Sequence, residues 1–106
     1  MSAIGMLDDA QKAIGNRAAE RDKPSGERSM LAAVAAFNAM TGHELTEREG
    51  WLFMVMLKAS RAQAGRFRAD DYIDGAAYFA LAGECAECER SDDLRLSAHL
   101  SRIDEE

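Results

Sequence analysis

The chain has 106 residues, 47% hydrophobic and 30% charged, which is one domain's worth of globular protein and excludes a disordered or collagen-like polymer. Twenty alanines stand against eight β-branched residues, a balance that favours helix and excludes a sheet protein. The net charge of −6 disfavours non-specific adsorption to nucleic acid or anionic lipid.

The first helix is expected over about residues 3–21, with Ile4, Leu7, Ile14 and Ala18 as its apolar positions. The single proline, Pro24, ends it in a turn through Asp22–Glu27. A second helix over about 26–41 places Met30, Val34, Phe37 and Met40 on one face, and Gly42 is its natural stop. Thr46-Glu47-Arg48-Glu49 has the S/T-x-x-E form of a capping box, in which each end satisfies the other's backbone amide. The helix it opens carries the run Trp51–Leu57, apolar on every side, so it is expected to be the buried centre of the fold. Gly65 closes it. Asp70 or Asp71 caps a fourth helix over about 71–89, whose Gly75 and Gly83 suggest close approach to the central helix. Ser91-Asp92-Asp93 reads as a further N-cap before a short fifth helix carrying Leu96, Leu100 and Ile103. The expected fold is all-α, a small bundle of four helices plus a short C-terminal one, forming a single domain over residues 1–106.

The start of the chain lacks the basic segment of a secretory signal, and its longest apolar run is far shorter than the roughly 20 residues that span a bilayer. Two cysteines cannot form a disulfide framework. A cytoplasmic location in a host cell, away from membranes, is the expectation.

Cys85-Ala86-Glu87-Cys88 has zinc or redox spacing, but a zinc site needs about four ligands and only His43 and His99 remain to complete one. The motif also falls late in a helix instead of at a helix start, so two incidental thiols are the better reading. Asp71-x-x-Asp74 puts two carboxylates on one helical edge, where they can hold Mg²⁺ if another acidic pair faces them. This resembles the all-helical nucleotide pyrophosphohydrolases, whose pattern faces an E-E-x-x-E run with an E-x-x-D. The first half is missing here, because Glu44-x-x-Glu47 straddles a loop and Glu84-x-x-Glu87 lies on the same helix as Asp71. Helix capping and a solvated face account for the aspartates.

Residues 50–69 contain no acid and four cations, Lys58, Arg61, Arg66 and Arg68, and the acidic stretch 70–74 follows at once. Local pairing of Arg61 or Arg66 with Asp74 is the plain reading. Docking of a phosphate or an acidic partner, with Phe67 between two arginines, is the functional one. From Glu84 onward the chain carries a net −5, usually a solubilising face but also suited to a basic partner. No Ser/His/Asp or Cys/His arrangement, dinucleotide fingerprint or P-loop occurs, so neither catalytic residues nor a cofactor are expected.

Three stretches stand in a recognisable order: Arg21–Arg28, then Phe37–Thr46 leading into Gly50–Arg61, then Asp70–Leu81. They resemble a family of small all-helical proteins of unknown function encoded by phages and prophages, over about residues 20–84. That family's pattern is a turn before the second helix, an L-K-x-x-R central helix and a D-x-x-D-G/A-A-x-Y closing helix. Here the last two are Leu57-Lys58-x-x-Arg61 and Asp71-x-x-Asp74-Gly75-Ala76-x-Tyr78. The resemblance implies a non-enzymatic phage protein that binds a host protein or nucleoprotein complex. An anti-CRISPR protein blocking DNA engagement by a CRISPR surveillance complex is its most plausible form, with no direct contact to nucleic acid. The expected docking residues are Arg66, Arg68, Asp70, Asp71 and Asp74. One alternative is an Mg-dependent nucleotide pyrophosphohydrolase-like enzyme with Asp71 and Asp74 on the metal. The other is a structural homodimer packed through the small-residue face Gly75–Gly83 of the fourth helix.

Overall fold

An alanine-rich chain with one proline has little alternative to helix. The computed structural model, which describes residues 1–21 and 29–105, resolves it into four: α1 (Ala3–Arg21), α2 (Ser29–Thr41), α3 (Glu47–Gln63) and α4 (Ala69–Glu105). The fold is all-α, with no strand among the described residues. α1 packs on α4, α4 on α3, and α3 on α2, so the α3–α4 pair is the centre. No described helix is long and apolar enough to cross a membrane. The Pro24 turn and the expected start of the second helix lie outside the described residues, as does the side chain of Ala18.

α1 has its expected bounds but buries a different face. Ala10, flanked one helical turn away by Met6 and Ile14, packs against Ile73 and Ala77 of α4, while Ile4 and Leu7 face solvent. Ala77 has no exposed surface at all. Small residues meeting across the α1–α4 contact let the backbones approach, and that contact fixes the rotation of α1 more firmly than the larger Ile4 and Leu7 do.

The start of α3 follows the sequence closely. The Thr46 hydroxyl accepts from the Glu49 amide at 3.1 Å, and the Glu49 carboxylate accepts from the Thr46 amide at 2.9 Å. Those bonds from Thr46, the backbone one foremost, hold the Glu49 carboxyl below its ordinary range. The preceding loop is braced by Asn38, whose side chain donates to the Leu45 carbonyl at 2.9 Å and accepts from the Leu45 amide at 3.0 Å. Gly42 and Gly65 close α2 and α3 with positive φ, 77° and 80°, as expected of helix stops.

Burial of α3 on all sides is the expectation that needs correcting. Trp51 is buried and stacks on Tyr78 of α4 at 5.5 Å, with Leu81 and Ala82 completing the cluster. Phe53 and Met56, on the opposite side of the helix, are exposed. An apolar run states a need for cover, and among the described residues only two helices, α4 and α2, reach α3.

α4 is a single helix of 37 residues, so the segment expected as a fifth helix is helical but continuous with the fourth. Ser91-Asp92-Asp93 would cap a helix only if the chain turned there. No proline or positive-φ residue makes it turn, and the modest helix propensities of Ser and Asp do not break a helix by themselves. Of the two glycines, Gly75 faces Lys58 of α3, while Gly83 has open space around it. Gly75, Ala77, Leu81 and Ala82 are thus engaged in contacts within the chain, while Phe79, Ala80 and Gly83 of the same stretch are exposed. At 1.5 Å per residue α4 runs about 55 Å, and it gives the molecule extents of 62 × 33 × 26 Å.

Candidate functional site: a charged cleft between α3 and α4

The last turns of α3, the connection 64–68 and the first turns of α4 enclose an open cleft of about 470 Å³. It is lined by Lys58 and Arg61 from α3, Arg66 and Arg68 from the connection, and Asp70, Asp71 and Asp74 from α4. All five residues expected from sequence to dock a partner therefore converge on one concavity, joined by Lys58 and Arg61. The spacing explains why. Lys58 and Arg61 lie three apart on one helix edge, Asp70 and Asp74 four apart on another, and the short connection folds the two edges together.

The ion pairing differs from the expectation. Asp74 pairs with Lys58 at 3.0 Å in a largely shielded position, not with Arg61 or Arg66. Lys58 sits on the α3 face that packs on α4, opposite Gly75, which leaves room for its stem, whereas Arg61, Arg66 and Arg68 are exposed. Among the described residues, none of these three arginines makes an ion pair or a side-chain hydrogen bond. Phe67, between two of them, stacks on Tyr72 at 5.9 Å and is otherwise exposed.

Asp71 is the unusual member. It is 8% exposed, the one buried charged residue described, and its carboxylate has no partner among the described side chains. Only its backbone amide is engaged, donating to the Arg68 carbonyl at 3.2 Å. The N-terminal end of α4 favours a negative charge in its first turn. A buried acceptor still wants a donor, and in a native fold its absence calls for an explanation.

The other candidate constellations stay apart. Cys85 is half-buried and Cys88 exposed, both as free thiols. Burial, followed by the neighbouring Glu47 carboxylate, pushes the Cys85 thiol up to about 11, opposite to the direction a metal ligand or redox nucleophile needs. Among the described residues no three His, Cys, Asp or Glu side chains gather closely enough to hold a metal. Glu89 of the acidic segment ties α4 to α3 through Arg48 at 3.1 Å.

A family model for a domain of unknown function, DUF6378, matches residues 5–86, more than three quarters of the chain. The chain belongs to the DUF6378 family. Neither the curated proteins nor the solved structures contain a significant match to it. The DUF6378 match takes in nearly all of α1, all of α2 and α3, and the whole charged cleft, and it ends at Ala86 inside α4. The last part of α4, with its exposed Leu94, Leu96, Leu100 and Ile103, lies beyond the matched DUF6378 region.

Proposed function

We propose that the α3–α4 cleft is a binding site for a phosphate-bearing small molecule of the nucleotide class. The observation that supports this reading is the pairing of opposites in one concavity: a buried Asp71 beside three arginines, none with a side-chain partner among the described residues. Guanidinium groups are the side chains best matched to phosphate oxygens. Asp71 supplies an acceptor for a hydroxyl or amine of the ligand, or for a cation that arrives with the phosphates. The volume falls within the range of small-molecule sites, about 300–1,000 Å³. The donor set does not make a self-sufficient magnesium site, since Asp74 already faces Lys58. It fits Mg²⁺ held by one or two carboxylates together with substrate phosphates. In the enzymatic form of this reading, Asp71 and Asp74 are the metal-side residues of a pyrophosphohydrolase-like protein.

Calorimetry of the whole chain against a panel of nucleoside mono-, di- and triphosphates, with and without Mg²⁺, tests the proposal. Binding that falls at least tenfold in Arg61→Ala, Arg66→Ala and Asp71→Asn supports it; no binding anywhere in the panel sinks it. Turnover of the bound nucleotide, abolished in Asp74→Asn, would establish the enzymatic form.

A second reading is favoured by the rim of the same cleft, where Arg66, Phe67, Arg68 and Asp70 are all exposed. Mixed charge around an exposed aromatic suits docking on a protein or nucleoprotein surface, as in an inhibitor of a host complex such as an anti-CRISPR protein. Affinity capture from host lysate with wild type and with Arg66→Glu/Arg68→Glu distinguishes this reading. It requires a stoichiometric partner that the double variant loses.

A further inference from the structure

The face of α4 that packs on α3 outruns its cover. The two helices run antiparallel, with Lys58 against Asp74, Trp51 against Tyr78 and Arg48 against Glu89, and α3 starts at Glu47. α4 goes on from Glu89 to Glu105, roughly four turns further. Leu96, Leu100 and Ile103 follow at spacings of four and three, within about 60° of one another around the helix axis. At about 100° per residue they stand in line with Tyr78, Cys85 and Glu89, residues that meet α3, whereas Leu94 points about 160° away. The three are 57%, 51% and 52% exposed, and every residue of α4 from Asp92 to Ile103 is exposed. Where the cover stops, Glu47 and Trp51 of α3 and Glu84, Cys88, Glu89 and Asp92 of α4 line a cavity of about 210 Å³. Arg48 answers Glu89 at 3.1 Å and exposed Arg95 lies 3.9 Å from Asp92, but Glu47 and Glu84 form no ion pair among the described residues.

We propose that this strip of α4, from the Trp51 cavity to Ile103, docks a basic amphipathic helix of another protein, laid end to end with α3 along the side that α3 leaves open. Charge selects the occupant. From Glu84 onward the chain holds eight acids against three arginines, a net −5. A second copy would set one such segment against another, and like charges brought together across an interface are costly. Nucleic acid and anionic lipid are repelled for the same reason. A helix with lysine or arginine beside its leucines meets both halves of the strip. Its apolar side chains lie on Leu96, Leu100 and Ile103, and one of its cations sits in the cavity against Glu47 and Glu84. Length agrees: Cys85 to Ile103 spans about 27 Å, five turns, which accommodates the i, i+3 or i+4, i+7 anchors of a helix bound in a groove. The free end of α4 also lacks cover of its own, and a helical stretch of about a dozen residues without tertiary contacts is marginal in water. Leu96, Leu100 and Ile103 lie beyond the matched residues 5–86 and at the far end of α4 from the arginines, so this site does not rest on the cleft's ligand.

The test titrates the full chain against a synthetic peptide of three heptads, with leucine at a and d and lysine at e and g, whose like-charged flanks keep it from pairing with itself. Anisotropy of the labelled peptide is expected to give a Kd of about 10 µM or tighter. With unlabelled peptide, the emission of Trp51, the one tryptophan of the chain, should change with the same midpoint, because Trp51 lines the cavity. A shuffled isomer has the same charge without the apolar face and should bind at least about tenfold more weakly. Leu96→Gln/Leu100→Gln and Glu84→Gln/Asp92→Asn should each weaken the amphipathic peptide at least about tenfold, while Leu94→Gln, on the far side of the helix, changes nothing. If the glutamine pair lowers helicity by circular dichroism, Leu96→Ala/Leu100→Ala, with the better helix former, decides the same point. No binding at about 100 µM chain, equal binding of the shuffled isomer, or full affinity in the leucine variants overturns the proposal. A wild-type dimer in sedimentation equilibrium that Leu96→Gln/Leu100→Gln dissociates also overturns it, since a second copy would then be the cover. Arg66→Glu/Arg68→Glu should leave the peptide's affinity no lower than in wild type; loss of binding there would place the peptide in the cleft and refute the α4 site.

Discussion

Two glycines on different helices offer a controlled measurement of how tightly α2 is seated. A Cβ placed on Gly50 would stand 2.5 Å from the Met30 sulfur and 2.8 Å from a Val34 methyl, both on α2. A Cβ on Gly83 would meet nothing within 4 Å. Glycine to alanine inside a helix gains about 1 kcal/mol at either position from backbone propensity. At Gly50 that gain is opposed by overpacking, typically about 1–3 kcal/mol. Met30 can swing aside, but Val34 is buried and β-branched, so the α2 backbone must give way by a few tenths of an ångström. Gly83→Ala should therefore be more stable than wild type by about 1 kcal/mol. Gly50→Ala should fall below Gly83→Ala by about 1–3 kcal/mol, the propensity contribution cancelling between them. Urea unfolding followed by far-UV circular dichroism, at one protein concentration throughout, reads both values. If Gly50→Ala were stabilised as much as Gly83→Ala, the close α2–α3 contact would be refuted.

Further outcomes follow from other contacts. Thr46→Ala removes the capping box and should cost about 1 kcal/mol at neutral pH by urea unfolding. Because the Glu49 carboxyl is held below its ordinary value of 4.5, chiefly by the Thr46 amide, its contribution is complete above that pH and fades as pH falls through the lowered value, so the stability gap between wild type and Glu49→Ala should narrow in acid. In alkylation at pH 8, read by peptide mass mapping, exposed Cys88 should label first. Cys85 should react ~100-fold more slowly than a thiol of ordinary pKa, since burial pushes it to about 11. Asp71→Asn should change stability by less than about 1 kcal/mol in thermal unfolding, because the carboxylate loses only its favourable place at the α4 N-terminus; a larger loss would show that Asp71 is structural. A double-mutant cycle on Lys58→Met and Asp74→Asn should give a coupling of at least about 0.5 kcal/mol, whereas exposed Arg95 and Asp92, 3.9 Å apart, should give almost none.

The local signals in the chain were reliable where the physics is local. The capping box at Thr46, the stops at Gly42 and Gly65 and the bounds of α1 depend on a few neighbouring residues, and all stand as read. Failures came where the outcome depends on distant contacts. Ser91-Asp92-Asp93 has cap chemistry, but the decision to turn belongs to whatever would stop α4, and nothing there does. The Trp51–Leu57 run shows apolarity, whereas its burial depends on how many helices are present to cover it. In the cleft, Arg66, Arg68, Asp70, Asp71 and Asp74 were legible because charge changes sign abruptly at residue 70. Lys58 as the partner of Asp74 was not, since it follows from the α3–α4 approach at Gly75.

The unbroken course of α4 has an electrical consequence. Had the chain turned at Ser91, the acidic segment could fold back and neutralise the arginines. As a rod, α4 instead carries that segment away from them: residues 71 and 93 are about 33 Å apart along its axis. One end of the molecule holds four cations against three aspartates, and the segment from Glu84 onward holds a net −5. The protein is thus a permanent dipole as well as a net anion. In the field of a highly charged partner it would turn before touching, arriving arginine end first at a negative surface and tail first at a positive one.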